Sequence, residues 1–298
     1  RQRLKDKVAI VTGASRGIGA EIASMFAAEG ARVVLAARSM EEMEQLRQSI
    51  SRQGGESICV STDVRSRESM KNMVKTACDA YGAIDILVNN AGYPMFGYAV
   101  DDEDEEAEKR YEAIMETNVR GYWYGARFAV PYMKEGNRGS IINISSVRGH
   151  LGLANETAYC AAKGAVKMMT KALAVELAPY NIRVNCISPG AIQVKVGHWV
   201  LSRYGQEIYD EYVEKFRDVH LLGMECNQPL HMIGEPRDIG YTAVYLASEE
   251  ARFVTGSDIV VDGGLTSLLP EPGALDMETL VALHGKQGPM NQWFQSLG

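Results

Sequence analysis

No two cysteines in this sequence are spaced to act together. Cys59, Cys78, Cys160, Cys186 and Cys226 are odd in number, far apart and set in apolar segments, and no C-x-x-C occurs. This spacing excludes the common zinc and redox motifs and fits free, buried thiols in a reducing cytoplasm. His150, His198, His220, His231 and His284 also lack metal-ligand spacing, so no metal is expected. Long hydrophobic runs are missing too: nothing approaches the ~20 apolar residues of a membrane span. Arg1 to Lys7 is polar and leads straight into a strand pattern, so no signal peptide is expected. Positive charge is in deficit, with a net charge of -7 and no basic tract, which argues against nucleic acid or an anionic membrane as partner. The one dense charge run, Asp101 to Glu106, is acidic and reads as a solvated helix face.

What the sequence has is alternation. Its 298 residues, 46% of them apolar, suffice for a large core. Short β-type runs lie at Val8 to Thr12, Arg32 to Ala36, Ser57 to Val60, Ile84 to Val88, Ser140 to Ile144, Arg183 to Ile187 and Asp258 to Val261. Helical patterns fall between them: Gly19 to Ala28, Met40 to Arg52, Arg67 to Tyr81, Asn118 to Met133 and Ala158 to Leu177. Apolar strands alternating with amphipathic helices predict an α/β fold, a Rossmann-type doubly wound parallel sheet in a single domain. That domain is expected to span residues 1–268, with residues 193–236 breaking the alternation as a substrate lid. A proline- and glycine-punctuated extension, residues 269–298, follows.

The first strand runs into Thr12-Gly13-Ala14-Ser15-Arg16-Gly17-Ile18-Gly19 and then a helix. Glycines at these places allow a tight turn and let backbone N–H groups approach a pyrophosphate at the helix N-terminus. At the end of the second strand, where an NAD-binding sheet carries an acid, stands Ala37-Arg38-Ser39. Arg38 and Arg16 can converge on a 2′-phosphate, so NADP is the expected cofactor. Asp63 and Val64, after the third strand, are placed to contact adenine, Asp63 through its carboxylate and backbone.

Chemistry points to Ser146, Tyr159 and Lys163. Tyr159 and Lys163 stand at i and i+4 on one helix face, and Ser146 lies thirteen residues before the tyrosine at a strand end. A phenol has a pKa of ~10 and is a poor acid/base at neutral pH. A cation one helical turn away is expected to lower it, with the serine hydroxyl holding a substrate oxygen beside it.

With these residues, the sequence resembles the short-chain dehydrogenase/reductase family from about Leu4 to Leu265. The resemblance rests on T-G-x-x-x-G-x-G (Thr12 to Gly19), N-N-A-G (Asn89 to Gly92), Asn118, S…Y-x-x-x-K (Ser146, Tyr159, Lys163), P-G (Pro189, Gly190) and D-G-G (Asp262 to Gly264). It implies a seven-stranded sheet and a tetrad of Asn118, Ser146, Tyr159 and Lys163, in which the Asn holds a water of a proton relay. It also implies that Asn90, Ala91 and Gly92, with Pro189, Gly190 and Ile192, line the cofactor. One departure is Val194, which replaces the family's usual Thr and offers the nicotinamide amide no side-chain donor.

A bulky, largely apolar secondary alcohol or its ketone, such as a hydroxysteroid, is the expected substrate. Met95, Val147, His150 and Trp199 are its expected neighbours, with Trp293 and Phe294 of the extension placed to cover a pocket. A polyol or sugar bound by Glu156, Gln193 and His150, a 3-oxoacyl group on a carrier protein, and a cofactor-binding regulator without activity are the alternatives. Apolar residues on the two longest helices (Tyr122, Trp123, Phe128, Met168, Met169, Leu173) exceed what one sheet face needs, so a homo-oligomer, with a tetramer favoured, is expected.

Overall fold

The computed structural model describes residues 2–92, 105–194, 205–226 and 228–268, together with residues 289, 292, 293 and 296. The chain divides into two compact units. The first is Arg1–Pro189 with Pro236–Val261; the second is Gly190–Glu235 with Asp262–Gly298, so the expected lid insert forms much of the second unit.

The first unit holds seven strands: β1 (Val8–Thr12), β2 (Arg32–Ala37), β3 (Glu56–Ser61), β4 (Ile86–Asn89), β5 (Gly139–Ile144), β6 (Ile182–Pro189) and β7 (Asp258–Val261). They form one sheet in the order β3-β2-β1-β4-β5-β6-β7, and every pairing is parallel. Apolar runs buried on both sides need helices on both faces. One face is covered by α3 (Arg67–Tyr81), α5 (Gly121–Glu135) and α6 (Thr157–Leu177). Met70, Met73, Ala129, Met133 and Leu177 pack there on Ile10, Val34, Leu87, Ile141 and Val184. On the other face α1 (Gly17–Ala28) buries Ile22 and Phe26, while a helix at Pro236–Ala247, which we number α8, buries Ile239, Ala243 and Val244. Among the described residues this unit also holds α2 (Met40–Arg52) and α4 (Glu105–Met115).

β4 begins two residues later than the apolar pattern suggests, just after Asp85, whose N–H donates to the Val8 carbonyl at 2.9 Å. Its carboxylate accepts from the Val8 N–H at 2.9 Å and from Arg138 Nε at 2.6 Å, tying β1 to the start of β5. The sheet order reverses between β1 and β4, and the carboxyl ends of strands beside such a switch are where open α/β sheets bind ligands.

The second unit contains α7 (Gln206–Cys226), which buries Tyr209, Tyr212 and Phe216. Trp293 packs on these rings, 5.3 Å from the Phe216 centroid, and its indole N–H donates to Glu211 at 3.0 Å. The D-G-G motif is a turn in this unit. The Asp262 carboxylate accepts from the N–H groups of Gly264 and Thr266, while Gly263 and Gly264 take left-handed backbone angles.

Candidate functional site

The two glycine-bearing motifs meet at the sheet's switch point. Buried Thr12, the last residue of β1, accepts through Oγ1 from the N–H groups of Asn90 (3.0 Å) and Ala91 (3.1 Å) and donates to the Val88 carbonyl (3.2 Å). Asn90 replies with its amide, donating to the Thr12 carbonyl at 2.9 Å. Gly13 has φ +67°, and a Cβ there would stand 2.8 Å from the Ala91 backbone. Gly19 has no room either, since a Cβ would meet the Gly13 carbonyl oxygen at 2.3 Å. Glycine is therefore required where β1 turns into α1.

α1 starts after Arg16 with no side-chain cap and no acid in its first turn. Its first N–H groups and the positive end of its dipole suit an anion. Ser15, Gly17 and Ile18 are partly exposed around this turn, and Arg16 and Arg38 are exposed. Ser39 precedes α2 in extended backbone and does not cap it.

Asp63 is more committed than its sequence position suggests. Its carboxylate is forked by Arg65, with contacts of 2.8 and 3.1 Å, and the Arg65 hydrogen bonds hold its pKa down. Its N–H donates to Ser69 Oγ. An adenine contact through either group would have to share it. Val64 is buried against Gly121, at the start of α5.

The four residues expected to carry the chemistry come from three places. Asn118 is fully buried in a π-helical turn, Glu116–Arg120, that joins α4 to α5. Such one-turn widenings recur at functional sites, and no local signal in the sequence announced this one. Asn118 Nδ2 donates to the Ile114 carbonyl at 3.1 Å, and a Cβ on Gly92 would stand 3.2 Å from its Oδ1. Ser146 follows β5 and caps a 3₁₀ turn, Val147–Gly149, through the Arg148 N–H. Tyr159 and Lys163 lie on one face of α6, as the i, i+4 spacing requires.

Burial drives the Tyr159 phenol up to about 12, against a hydrogen bond with Ser146 that lowers it. The expectation that Lys163 brings the phenol down is therefore not met by the protein's own groups. The Lys163 ammonium instead donates to the Ile144 carbonyl at 2.9 Å, with its nitrogen 5.5 Å from the Tyr159 ring centroid. Burial lowers the Lys163 pKa to about 8.

Three residues escaped the sequence reading. Tyr122, expected on an oligomer surface, is 1% exposed and donates to the same Ile144 carbonyl at 2.9 Å, so its hydroxyl fixes it inside. Ser145 donates to the Lys163 carbonyl at 2.8 Å, holding α6 to the end of β5. Arg148 pairs with buried Glu156, which removes that carboxylate from the hydroxyl-binding role open to it in the sequence.

Of the expected substrate neighbours, Val147 is buried next to Ser146. His150 has both ring nitrogens engaged, Nε2 with Asp258 at 2.8 Å and Nδ1 with Lys167 at 2.9 Å. Met95, Trp199 and Phe294 lie outside the described residues. Pro189 ends β6. In the second unit Gly190 lies against Asp262, where a Cβ would meet the Asp262 backbone at 2.6 Å. Ile192 is buried and bridged to Gly234, and Val194 turns its side chain outward while its N–H bonds the Ile192 carbonyl. Among the described residues no cluster of His, Cys, Asp or Glu is arranged for a metal, and no helix is long and apolar enough to cross a membrane.

A family model described as enoyl-(acyl carrier protein) reductase matches residues 13–266. The chain belongs to the short-chain dehydrogenase/reductase family. It is 37% identical over 270 residues to an NADP-dependent (R)-specific alcohol dehydrogenase of Lentilactobacillus kefiri, covering 89% of this chain and 98% of that one. It is 35% identical over 265 residues to a cyclopentanol dehydrogenase of Comamonas sp. (strain NCIMB 9872), covering 89% and 99%. The crystal structure of a short-chain type dehydrogenase/reductase from Mycobacterium marinum superposes with a TM-score of 0.77 at 34% identity, over 89% of this chain and 97% of that one. This short-chain dehydrogenase/reductase is an oxidoreductase of the kind that acts on alcohols and ketones with a nicotinamide cofactor.

Proposed function

We propose that this chain is an NADP(H)-dependent oxidoreductase of apolar secondary alcohols and their ketones, with Tyr159 as acid/base. The observation that carries the reading is Tyr159 on one face of α6, its phenol eased downward by Ser146 and its ring centroid 5.5 Å from the buried amine of Lys163. The site's features fit a dinucleotide: an uncapped helix N-terminus, a turn tight enough to bring backbone N–H groups to a pyrophosphate, and a buried amine beside a phenol. Bound there, the nicotinamide supplies or accepts the hydride.

The protein's part is proton transfer and positioning. In reduction Ser146 donates a hydrogen bond to the carbonyl oxygen and Tyr159 Oη delivers a proton to it. In oxidation Tyr159 takes the hydroxyl proton. Lys163 keeps a buried amine one helical turn from the phenol, held on the Ile144 carbonyl, and Asn118 lies beside Gly92. The 2′-phosphate preference rests on Arg16 and Arg38, both exposed, and on the lack of an acid at the end of β2. The NADP-dependent relative supports the same choice.

The apolar character of the substrate rests on the side chains after Asn90-Ala91-Gly92 and Pro189-Gly190, where Met95 and Trp199 are found, and on Val147. Hydroxysteroids mark the bulky end of that class and cyclopentanol, the substrate in one relative's name, the small end. We place the enzyme in the cytoplasm as a homo-oligomer, a tetramer being favoured. NADPH oxidation measured with cyclopentanone, acetophenone, a 3-ketosteroid and a ketose tests the reading. A ketose preferred by orders of magnitude in kcat/KM would overturn the apolar assignment.

A further inference from the structure

The turn that carries Ser146 and the helix that carries Tyr159 are joined by an ion pair. Arg148 Nε stands 2.9 Å from Glu156 Oε2, and the Glu156 side chain is only 4% exposed. Arg148 is two residues past Ser146, and its own N–H donates to Ser146 Oγ at 3.2 Å. Glu156 is three residues before Tyr159, at the N-cap of α6. A carboxylate at an N-cap ordinarily accepts from the first helical turn. Here it caps nothing and faces Arg148 instead. The Glu156 carboxylate has thus been taken out of water between the two residues that must hold one substrate oxygen, and the half-buried Arg148, 28% exposed, is the cation that offsets that cost.

We propose that Arg148 and Glu156 are positioning residues: their ion pair locks Ser146 against Tyr159 and balances the charge around the phenol. The proposal rests on Tyr159 being the acid/base. The titratable and charged groups facing Tyr159 are Glu156 and Cys160 on its own helix, Arg148 on the 3₁₀ turn, Tyr122 on α5, and Lys163 one turn along α6. Of the pair, Glu156 opposes ionisation of the phenol and Arg148 favours it. The two act on the phenol in opposite directions, so the loss of either one leaves the other unopposed.

The test is titration of [¹³Cζ]tyrosine-labelled protein by NMR, with the Tyr159 signal identified by its loss in Tyr159→Phe. It is run with and without NADP⁺ beside the pH profile of cyclopentanol oxidation. Glu156→Gln should move the Tyr159 titration and the acid limb down by about half a pH unit or more, and Arg148→Gln should move both up. Glu156→Gln combined with Arg148→Gln should return both close to their starting pH while kcat stays low, because the lock is gone. Glu156→Asp and Arg148→Lys should keep the unaltered titration. They carry the test, with the double variant, should a single neutralisation fail to fold. Equal titrations in all variants, or shifts of the same sign, would overturn the proposal. So would a tenfold rise in KM for Glu156→Gln with the limb unmoved, which marks a substrate ligand. If Tyr159→Phe keeps its activity, the acid/base assignment fails, and the NMR shifts still report on the pair.

Discussion

The Lys163 ammonium donates a 2.9 Å hydrogen bond to the Ile144 carbonyl, at the end of β5 and 3% exposed to solvent. Burial holds this lysine at about 8, below the ordinary 10.5. The unfolded chain therefore binds the proton more tightly between those values, and stability should rise with pH across that window. Below pH 8 the full cost of the buried charge is present. Lys163→Met should remove that rise and stabilise the cofactor-free protein at pH 7 by on the order of 2 kcal/mol. Tyr122 remains to satisfy the Ile144 carbonyl. Activity should fall at least about a hundredfold, the low end for loss of an acid/base partner. Denaturant melts of both proteins from pH 7 to 10.5 check this; parallel pH curves would contradict it.

Tyr159→Phe keeps the ring that packs against Ile114 and Ala162 and removes only the hydroxyl that carries the proton. Turnover should drop by ~10²–10⁴-fold, while the Kd for NADPH changes less than about threefold. Single-turnover kinetics and a fluorescence titration separate the two. A variant retaining a tenth of the activity would remove Tyr159 from the acid/base role.

How much of this was legible in the sequence follows from the range of each interaction. β1 and β7 fall where their apolar runs predict, and α2 and α3 match to the residue, since periodicity sets both and caps at Ser66 and Gly82 bound α3. Tyr159 and Lys163 share a face because i, i+4 spacing on a helix demands it. The Asn118 π turn was not legible, because it depends on how α4 meets α5 rather than on local composition. Nor was the Asp63–Arg65 pair legible, although the two lie two residues apart, because that spacing does not by itself bring two side chains together. α4, α7 and α8 went unassigned: the first adjoins an acidic run, and the second falls in a stretch read only as irregular.

Cofactor choice should turn on Arg38. Replacing a guanidinium that meets a 2′-phosphate removes charge-assisted bonds worth roughly 1.5–3 kcal/mol, or about a 10- to 150-fold loss. Arg38→Asp should reverse the preference from NADPH to NADH, and Arg16→Ala should weaken it less. Arg65, forked onto Asp63, is not expected to substitute. The ratio of kcat/KM for the two cofactors is the readout, and equal values in the unaltered enzyme would refute the assignment.

Thr12→Val tests the joint between the two cofactor motifs. The change keeps the shape and deletes an oxygen that accepts from Asn90 and Ala91. Two N–H groups would lose their acceptor in a buried place, at about 1–3 kcal/mol for each one left unsatisfied. The expected result is a fall in stability of about 2 kcal/mol or more together with a higher KM for NADPH. A rise in KM without loss of stability would mean that the hydroxyl meets the cofactor rather than joining the strands.

The oligomer prediction now rests on fewer residues than the sequence offered, because Tyr122 is internal and Phe128 and Leu173 pack on the sheet. Of those, Trp123 on α5 and Met168 on α6 stay outside, exposed by 44% and 64%, and α6 adds Val175, which the sequence did not offer, exposed by 79%. Met168 and Val175 stand two helical turns apart on one face, and a C₂ axis beside that face would set each against its own copy. Light scattering of the unaltered protein should give a mass above the monomer at micromolar concentration. Introducing a charge with Val175→Glu places two like carboxylates near the axis, and the protein should dissociate while each subunit stays folded, since the side chain touches little of its own core. A monomeric unaltered protein would reject the interface. A Val175→Glu variant that keeps its mass would move the interface to another face.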